Sequence, residues 1–152
     1  VVKLAKKTGF IDRITPAYRT RARRTHWASR EDAFVYLKRR MLFQHITDAC
    51  LNDYIEYGMT HDETGCSLRF DASIEYQIYR TIPHTLRGYA KHLSVPTALI
   101  YGDASDVIYP ADRRYMKRQY GIMSYQTKGT HMFPLEYPED TAAIILDVLA
   151  KQ

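Results

Sequence analysis

No Gly-x-Ser-x-Gly stretch occurs in this sequence, so the sharp strand-to-helix turn that exposes an activated serine is missing and no nucleophile can be named. Cysteine is scarce, with only Cys50 and Cys66 among 152 residues. They form no CxxC and no metal spacing, and two free thiols are ordinary in a reducing compartment, which makes the cytoplasm the expected location. Long apolar runs are also missing. Nothing approaches the roughly 20 residues needed to cross a bilayer, and residues 1–10 carry too much lysine for a signal core. A soluble chain without a membrane partner is expected. His61, Asp62, Glu63 and Cys66 are the densest set of potential ligands, but their spacing fits no zinc pattern and the stretch reads as a polar loop. Neither metal nor organic cofactor is expected.

Positive charge is abundant and uneven. The net charge of +5 comes from 22 basic and 17 acidic residues, and Arg13, Arg19, Arg21, Arg23, Arg24, Arg30, Lys38, Arg39 and Arg40 crowd the first quarter. Such a cluster suits phosphate. It carries no nucleic-acid motif, however, and Trp27, Phe34, Tyr36 and Leu37 interleave with it as in an amphipathic structural segment, so a solvated face is expected rather than a nucleic-acid partner.

The pattern changes character between Pro83 and Pro96. The earlier part reads as helical. Ser29 is a plausible N-cap with Asp32 three residues on, followed by Phe34, Leu37, Met41 and Leu42 at helical spacing. Thr47 opens a second helix with Cys50, Leu51, Tyr54, Ile55 and Met59 on one stripe and Gly58 as its stop. Asp71 caps a third with Ile74, Tyr76, Ile78 and Tyr79, and a fourth runs over about residues 84–93. Beyond Pro96 the rhythm is strand, helix, strand, helix. Thr97-Ala98-Leu99-Ile100-Tyr101 is the continuous apolar run of a strand buried in a parallel sheet. Pro110 suits the first turn of a helix reaching about Tyr120, Ile122 to Thr127 is a second strand, and Pro138 opens a helix with Ala142, Ile145, Leu146 and Leu149 as its buried face. The fold class is therefore α/β. Two parallel strands leave both edges and both faces uncovered, so the remaining strands must come from elsewhere.

Catalytic groups in open parallel sheets gather outside the carboxyl ends of the strands. Two candidates fall there. Asp106 follows the first strand in Gly102-Asp103-Ala104-Ser105-Asp106, and His131 follows the second in Gly129-Thr130-His131-Met132-Phe133-Pro134-Leu135-Glu136. A carboxylate and an imidazole on adjacent loops are what a charge-oriented general base needs. The bland alternative for His131 is a capping or surface histidine. Glu136 is expected to anchor the loop or the start of the last helix, and Met132 and Phe133 either pack beneath the histidine or touch substrate. The sequence holds 13 tyrosines, of which Tyr54, Tyr57, Tyr76 and Tyr79 are read chiefly as packing residues.

The blocks Val95-Pro96-Thr97-Ala98-Leu99-Ile100-Tyr101-Gly102 with Ser105-Asp106, and Gly129-Thr130-His131-Met132-Phe133-Pro134-Leu135-Glu136-Tyr137-Pro138, resemble the C-terminal part of the α/β-hydrolase superfamily. The segment with Trp27-Ala28-Ser29-Arg30-Glu31 and Ile74-Glu75-Tyr76 looks like the helical cap of many members. The resemblance implies a cap over residues 1–82 and the C-terminal part of the core over 83–152. It also implies Asp106 as triad acid, with Asp103 as the competitor, and His131 as general base. The opening Val1-Val2-Lys3 and the absent elbow then lead us to expect a nucleophile-bearing N-terminal half in a longer protein, without which this piece is inert. The activity implied is hydrolysis of a small carboxylic ester or related apolar substrate without a cofactor. An aspartate-nucleophile hydrolase of epoxides or haloalkanes, and a non-catalytic ligand-binding protein on the same fold, remain open alternatives.

Overall fold

The computed structural model describes residues 12, 15, 17–21, 23–83 and 93–151. They group into two compact units, one containing residues up to Phe34 together with those from Tyr54 onward to position 83, the other containing Val35–Asp53 and the residues from 93 to the end.

In the first unit, α1 (Ala17–Arg21) packs on α4 (Ala72–Thr81). Ala17 and Thr20 of α1 are buried, and the Thr20 hydroxyl donates to the Ala17 carbonyl at 2.8 Å. Asp12 accepts from the Tyr76 hydroxyl at 2.8 Å and pairs with Arg80 at 3.2 Å. Asp71 caps α4 as expected, its Oδ1 accepting from Ser73 N at 2.7 Å. The apolar positions Ile74 and Ile78 stay exposed, whereas Tyr76 and Tyr79 are half-buried.

The expected all-helical character of this region needs a correction. Three short strands, β1 (His26–Trp27), β2 (Met59–Asp62) and β3 (Gly65–Leu68), form an antiparallel sheet in the order β1-β3-β2, with His26 opposite Ser67 and Met59 opposite Leu68. The stretch read as a polar loop is the β2–β3 hairpin. Asp62 Oδ1 accepts from Thr64 N at 2.8 Å and from the Thr64 hydroxyl at 2.6 Å, an Asx turn that stands in for a backbone turn. Gly65 has φ +129°, and a Cβ there would lie 2.1 Å from the Trp27 carbonyl oxygen, so this position admits only glycine. Alternation then puts Trp27, Cys66 and Met59 in the core. Among the described residues no group of histidine, cysteine and carboxylate side chains is arranged to hold a metal.

Helices α2 (Arg30–Lys38) and α3 (Asp48–Gly58) begin as their caps dictate. Ser29 Oγ accepts from Asp32 N at 3.1 Å and Thr47 Oγ1 from Cys50 N at 3.2 Å. Their stripes bury Ala33 and Leu37, and Leu51 and Ile55. Helix α2 stops at Lys38 rather than reaching Leu42: the chain passes into turns in which Arg40 N donates to the Leu37 carbonyl and Phe43 N to the Arg40 carbonyl, both at 2.8 Å, and the Lys38 ammonium reaches the Ile46 carbonyl at 2.6 Å and Asp48 at 2.7 Å. That leaves Met41 and Leu42 exposed in turns and Ile46 buried. Met59, placed on the second helical stripe by its spacing, is buried on β2 instead.

In the second unit, β4 (Ala98–Gly102) and β5 (Met123–Thr127) pair in parallel, Ala98 opposite Met123 and Gly102 opposite Thr127. Helix α5 (Pro110–Tyr120) joins them and closes on Gly121 in the left-handed region. A short α6 (Phe133–Glu136) and α7 (Pro138–Ala150) follow. The face of α7 differs from expectation: Thr141 and Val148 are buried, while Ile145, Leu146 and Leu149 are 42%, 68% and 62% exposed. A two-stranded sheet is too narrow to cover the wider apolar surface of the helix. The helix expected over 84–93 lies almost wholly outside the described residues, in 84–92. No described helix is long and apolar enough to cross a membrane.

Candidate active site

The parallel register brings the carboxyl ends of β4 and β5 level, so the segments following Gly102 and Thr127 leave the sheet side by side. Backbone bonds then join them: Asp103 N donates to the Thr127 carbonyl at 2.8 Å and Ala104 N to the Gly129 carbonyl at 3.0 Å. The Asp103 carboxylate adds a third tie, Oδ1 accepting from Gly129 N at 2.9 Å. This close approach depends on glycine. A Cβ on Gly102 would meet the Gly129 and Thr130 carbonyl oxygens at 2.2 and 2.3 Å, and Gly129 itself has φ +113°.

The acid-bearing and histidine-bearing loops therefore share one sheet edge. Asp106 and His131 are both exposed there. Among the described residues no hydrogen bond or ion pair joins the two side chains directly; what the structure brings together is their loops. Asp103, the competing acid, has its carboxylate committed to the Gly129 amide, whereas Asp106 lies in a bend in which Ser105 Oγ accepts from Val107 N at 3.3 Å. Both residues are exposed, and the difference between them is that the Asp103 carboxylate is engaged in holding the two loops together.

Sequence reasoning pointed to Glu136 as an anchor without finding what it anchors. Its carboxylate is buried, with Oε2 accepting from Thr130 N at 2.8 Å and Oε1 accepting from the Thr130 hydroxyl. Thr130 Oγ1 accepts in turn from Met132 N at 3.1 Å. Met132 and Phe133 are half-buried, and the Leu135 carbonyl accepts from Thr47 N at 3.1 Å. The histidine loop is thereby fastened from several sides. The six-residue spacing from Thr130 to Glu136 carried no visible signal for this, because one of the two donors is a backbone amide, which any residue carries.

The basic first quarter is largely matched locally. Arg23 pairs with Glu75 at 2.8 Å and Arg30 with Glu56, Arg24 lies over Trp27 at 5.5 Å and Arg40 over Tyr36 at 4.1 Å. Burial pushes the Tyr54 phenol above its ordinary value, the Arg23 guanidinium pulling the other way.

No family model matches the chain, and no curated protein is similar to it in sequence. Solved structures are similar. The chain superposes on E-2-(acetamidomethylene)succinate hydrolase with TM-score 0.76 at 16% identity, over 94% of this chain and 53% of that one. For a peroxisomal α/β-hydrolase from Saccharomyces cerevisiae the TM-score is 0.69 at 16% identity, over 84% and 36%. For an esterase of M. tuberculosis it is 0.65 at 16%, over 97% and 48%. The chain has the α/β-hydrolase fold. It spans about half the length of the first of these proteins, an extent that fits the C-terminal part of the fold.

Proposed function

We propose that this chain supplies the acid and the general base of a nucleophile-histidine-aspartate triad that hydrolyses a small carboxylic ester or a related apolar molecule. Asp106 is the acid and His131 the base, residues 1–82 serve as a cap over the substrate, and 83–152 form the C-terminal part of the core. The nucleophile and the oxyanion-binding amides come from a segment outside these residues, which is the partner the chain requires.

The observation that carries this reading is the tie between Asp103 and Gly129, which holds the Asp106 loop against the His131 loop at the carboxyl edge of a parallel sheet. That edge is where open α/β sheets place their chemistry. Support also comes from the hydrolase and esterase names of the similar structures.

In the reaction, a nucleophile hydroxyl gives its proton to His131 as its oxygen attacks the ester carbonyl, and the resulting imidazolium is steadied by Asp106. His131 then passes that proton to the departing alcohol. Water, deprotonated by His131, releases the acid product and restores the nucleophile. The test is hydrolysis of a short p-nitrophenyl ester by the protein that joins these residues to its nucleophile-bearing segment. His131→Ala should lower turnover by on the order of 10⁶, the size seen for a subtilisin triad histidine. Undiminished turnover in a parent that cleaves the ester removes the assignment.

A further inference from the structure

We propose that Glu136 is a positioning residue for His131, acting through Thr130 to fix the direction in which the loop presents the imidazole. The role rests on His131 being the general base. Glu136 is 7% exposed, and among the described residues it has no lysine or arginine partner. A carboxylate held this deep without a cation is costly unless its oxygens are satisfied by strong donors. Both oxygens are engaged by one residue: Thr130 N donates to Oε2 at 2.8 Å and the Thr130 hydroxyl donates to Oε1.

Thr130 is the residue before His131, and its hydroxyl oxygen also accepts from Met132 N, the residue after, at 3.1 Å. The residues on both sides of the histidine are thus linked to a single buried carboxylate, Thr130 directly and Met132 through the Thr130 hydroxyl. Gly129 completes the arrangement, since a Cβ there would stand 2.7 Å from Glu136 Oε2. The carboxylate fills the space a side chain would need. Helix capping does not account for it: among the described residues both Glu136 carboxylate oxygens accept from Thr130, with no bond from an amide in the first turn of α7.

The variant Glu136→Gln keeps the shape but leaves one oxygen to accept from the Thr130 amide, so its NH₂ faces the Thr130 hydroxyl, which must give up its bond to a charged acceptor and turn to accept instead. In the protein carrying the nucleophile, kcat for a p-nitrophenyl ester should fall by about 100-fold, the cost of misplacing a catalytic group by an ångström, while KM stays within about twofold. The amides of Thr130 and Met132 should exchange with solvent faster than in the wild type. Thr130→Ser, which keeps the hydroxyl, should leave both properties near wild type, and Thr130→Val should show a smaller version of the loss. Thr130→Val also serves if Glu136→Gln does not fold. A folded Glu136→Gln protein with wild-type kcat, or with unchanged Thr130 and Met132 exchange, overturns the proposal. His131→Ala on the same ester tests the base assignment separately. If that variant keeps full turnover, the assignment fails, the positioning role fails with it, and the exchange data show only whether Glu136 holds the loop.

Discussion

Replacing Gly102 by alanine puts the account of the site under the most direct mechanical strain. The new Cβ would sit 2.2 Å from the Gly129 carbonyl oxygen and 2.3 Å from that of Thr130. Carbon and oxygen settle no closer than about 3.3 Å, so the histidine loop must withdraw by about 1 Å. Both obstacles are backbone, and no rotamer change relieves them. The withdrawal stretches the Ala104 to Gly129 bond from 3.0 Å and the Gly129 to Asp103 bond from 2.9 Å beyond useful length. Two lost bonds at about 1 kcal/mol each, with a similar amount for overpacking, give roughly 2–4 kcal/mol. At about 2–4 °C per kcal/mol for a chain of this size, Tm should drop by roughly 5–15 °C. Circular dichroism melts measure this. Gly121→Ala is the internal control, because Gly121 has φ +71° with nothing within 4 Å of its Cβ position. It should cost only the left-handed strain of about 1 kcal/mol. A Gly102→Ala protein melting within about 2 °C of wild type, or a Gly121→Ala protein losing as much, would refute the reasoning.

The thiols and the acid limb of stability yield further expectations. Cys66 is 1% exposed, burial pushes its thiol above the ordinary value, and its S–H donates to the Ser29 carbonyl at 3.3 Å. Because the thiolate is the reactive form, a thiol-exchange reagent should label half-buried Cys50 in the native protein and Cys66 only on unfolding; fast native labelling of Cys66 contradicts its place in the sheet core. The Ser73 amide holds the Asp71 carboxyl below its usual range, as the Thr64 hydroxyl and amide do for Asp62. A depressed folded value contributes stability that is fully present above the unfolded value of about 3.9 and is lost as pH falls through the folded value. Asp71→Asn retains an acceptor for the cap, so melts recorded from pH 6 down to 2 should show a shallower acid decline; an unchanged decline would exclude Asp71 from it.

The second unit was the easier to read from sequence. Ala98–Gly102 is an apolar run between breakers, and Pro110 and Pro138 stand at helix starts where the missing N–H costs nothing. The antiparallel sheet escaped because β1 has two residues and its partner Ser67 lies 41 positions from His26, whereas local patterning reports only neighbours. The Asp62-Glu63-Thr64-Gly65 turn was the available hint. On α7, Ile145, Leu146 and Leu149 are expected on the buried face and are exposed instead, because periodicity marks an apolar stripe without saying what covers it. At the site, the two loops and their residues were visible as motifs. The committed role of the Asp103 carboxylate and the Thr130 partners of Glu136 were not, since both depend on backbone amides brought close by Gly102 and Gly129.

In the proposed site Asp103 holds the two loops together while Asp106 serves His131, and comparing the amide variants of these neighbouring carboxylates tests that division. In the protein carrying the nucleophile, Asp106→Asn should lower ester turnover by about 10⁴, the loss seen in the serine-protease triad. Asp103→Asn keeps an oxygen able to accept from the Gly129 amide and should stay within about tenfold of wild type, the equivalent of about 1.4 kcal/mol. The large loss appearing in Asp103→Asn, with Asp106→Asn unaffected, would contradict the account.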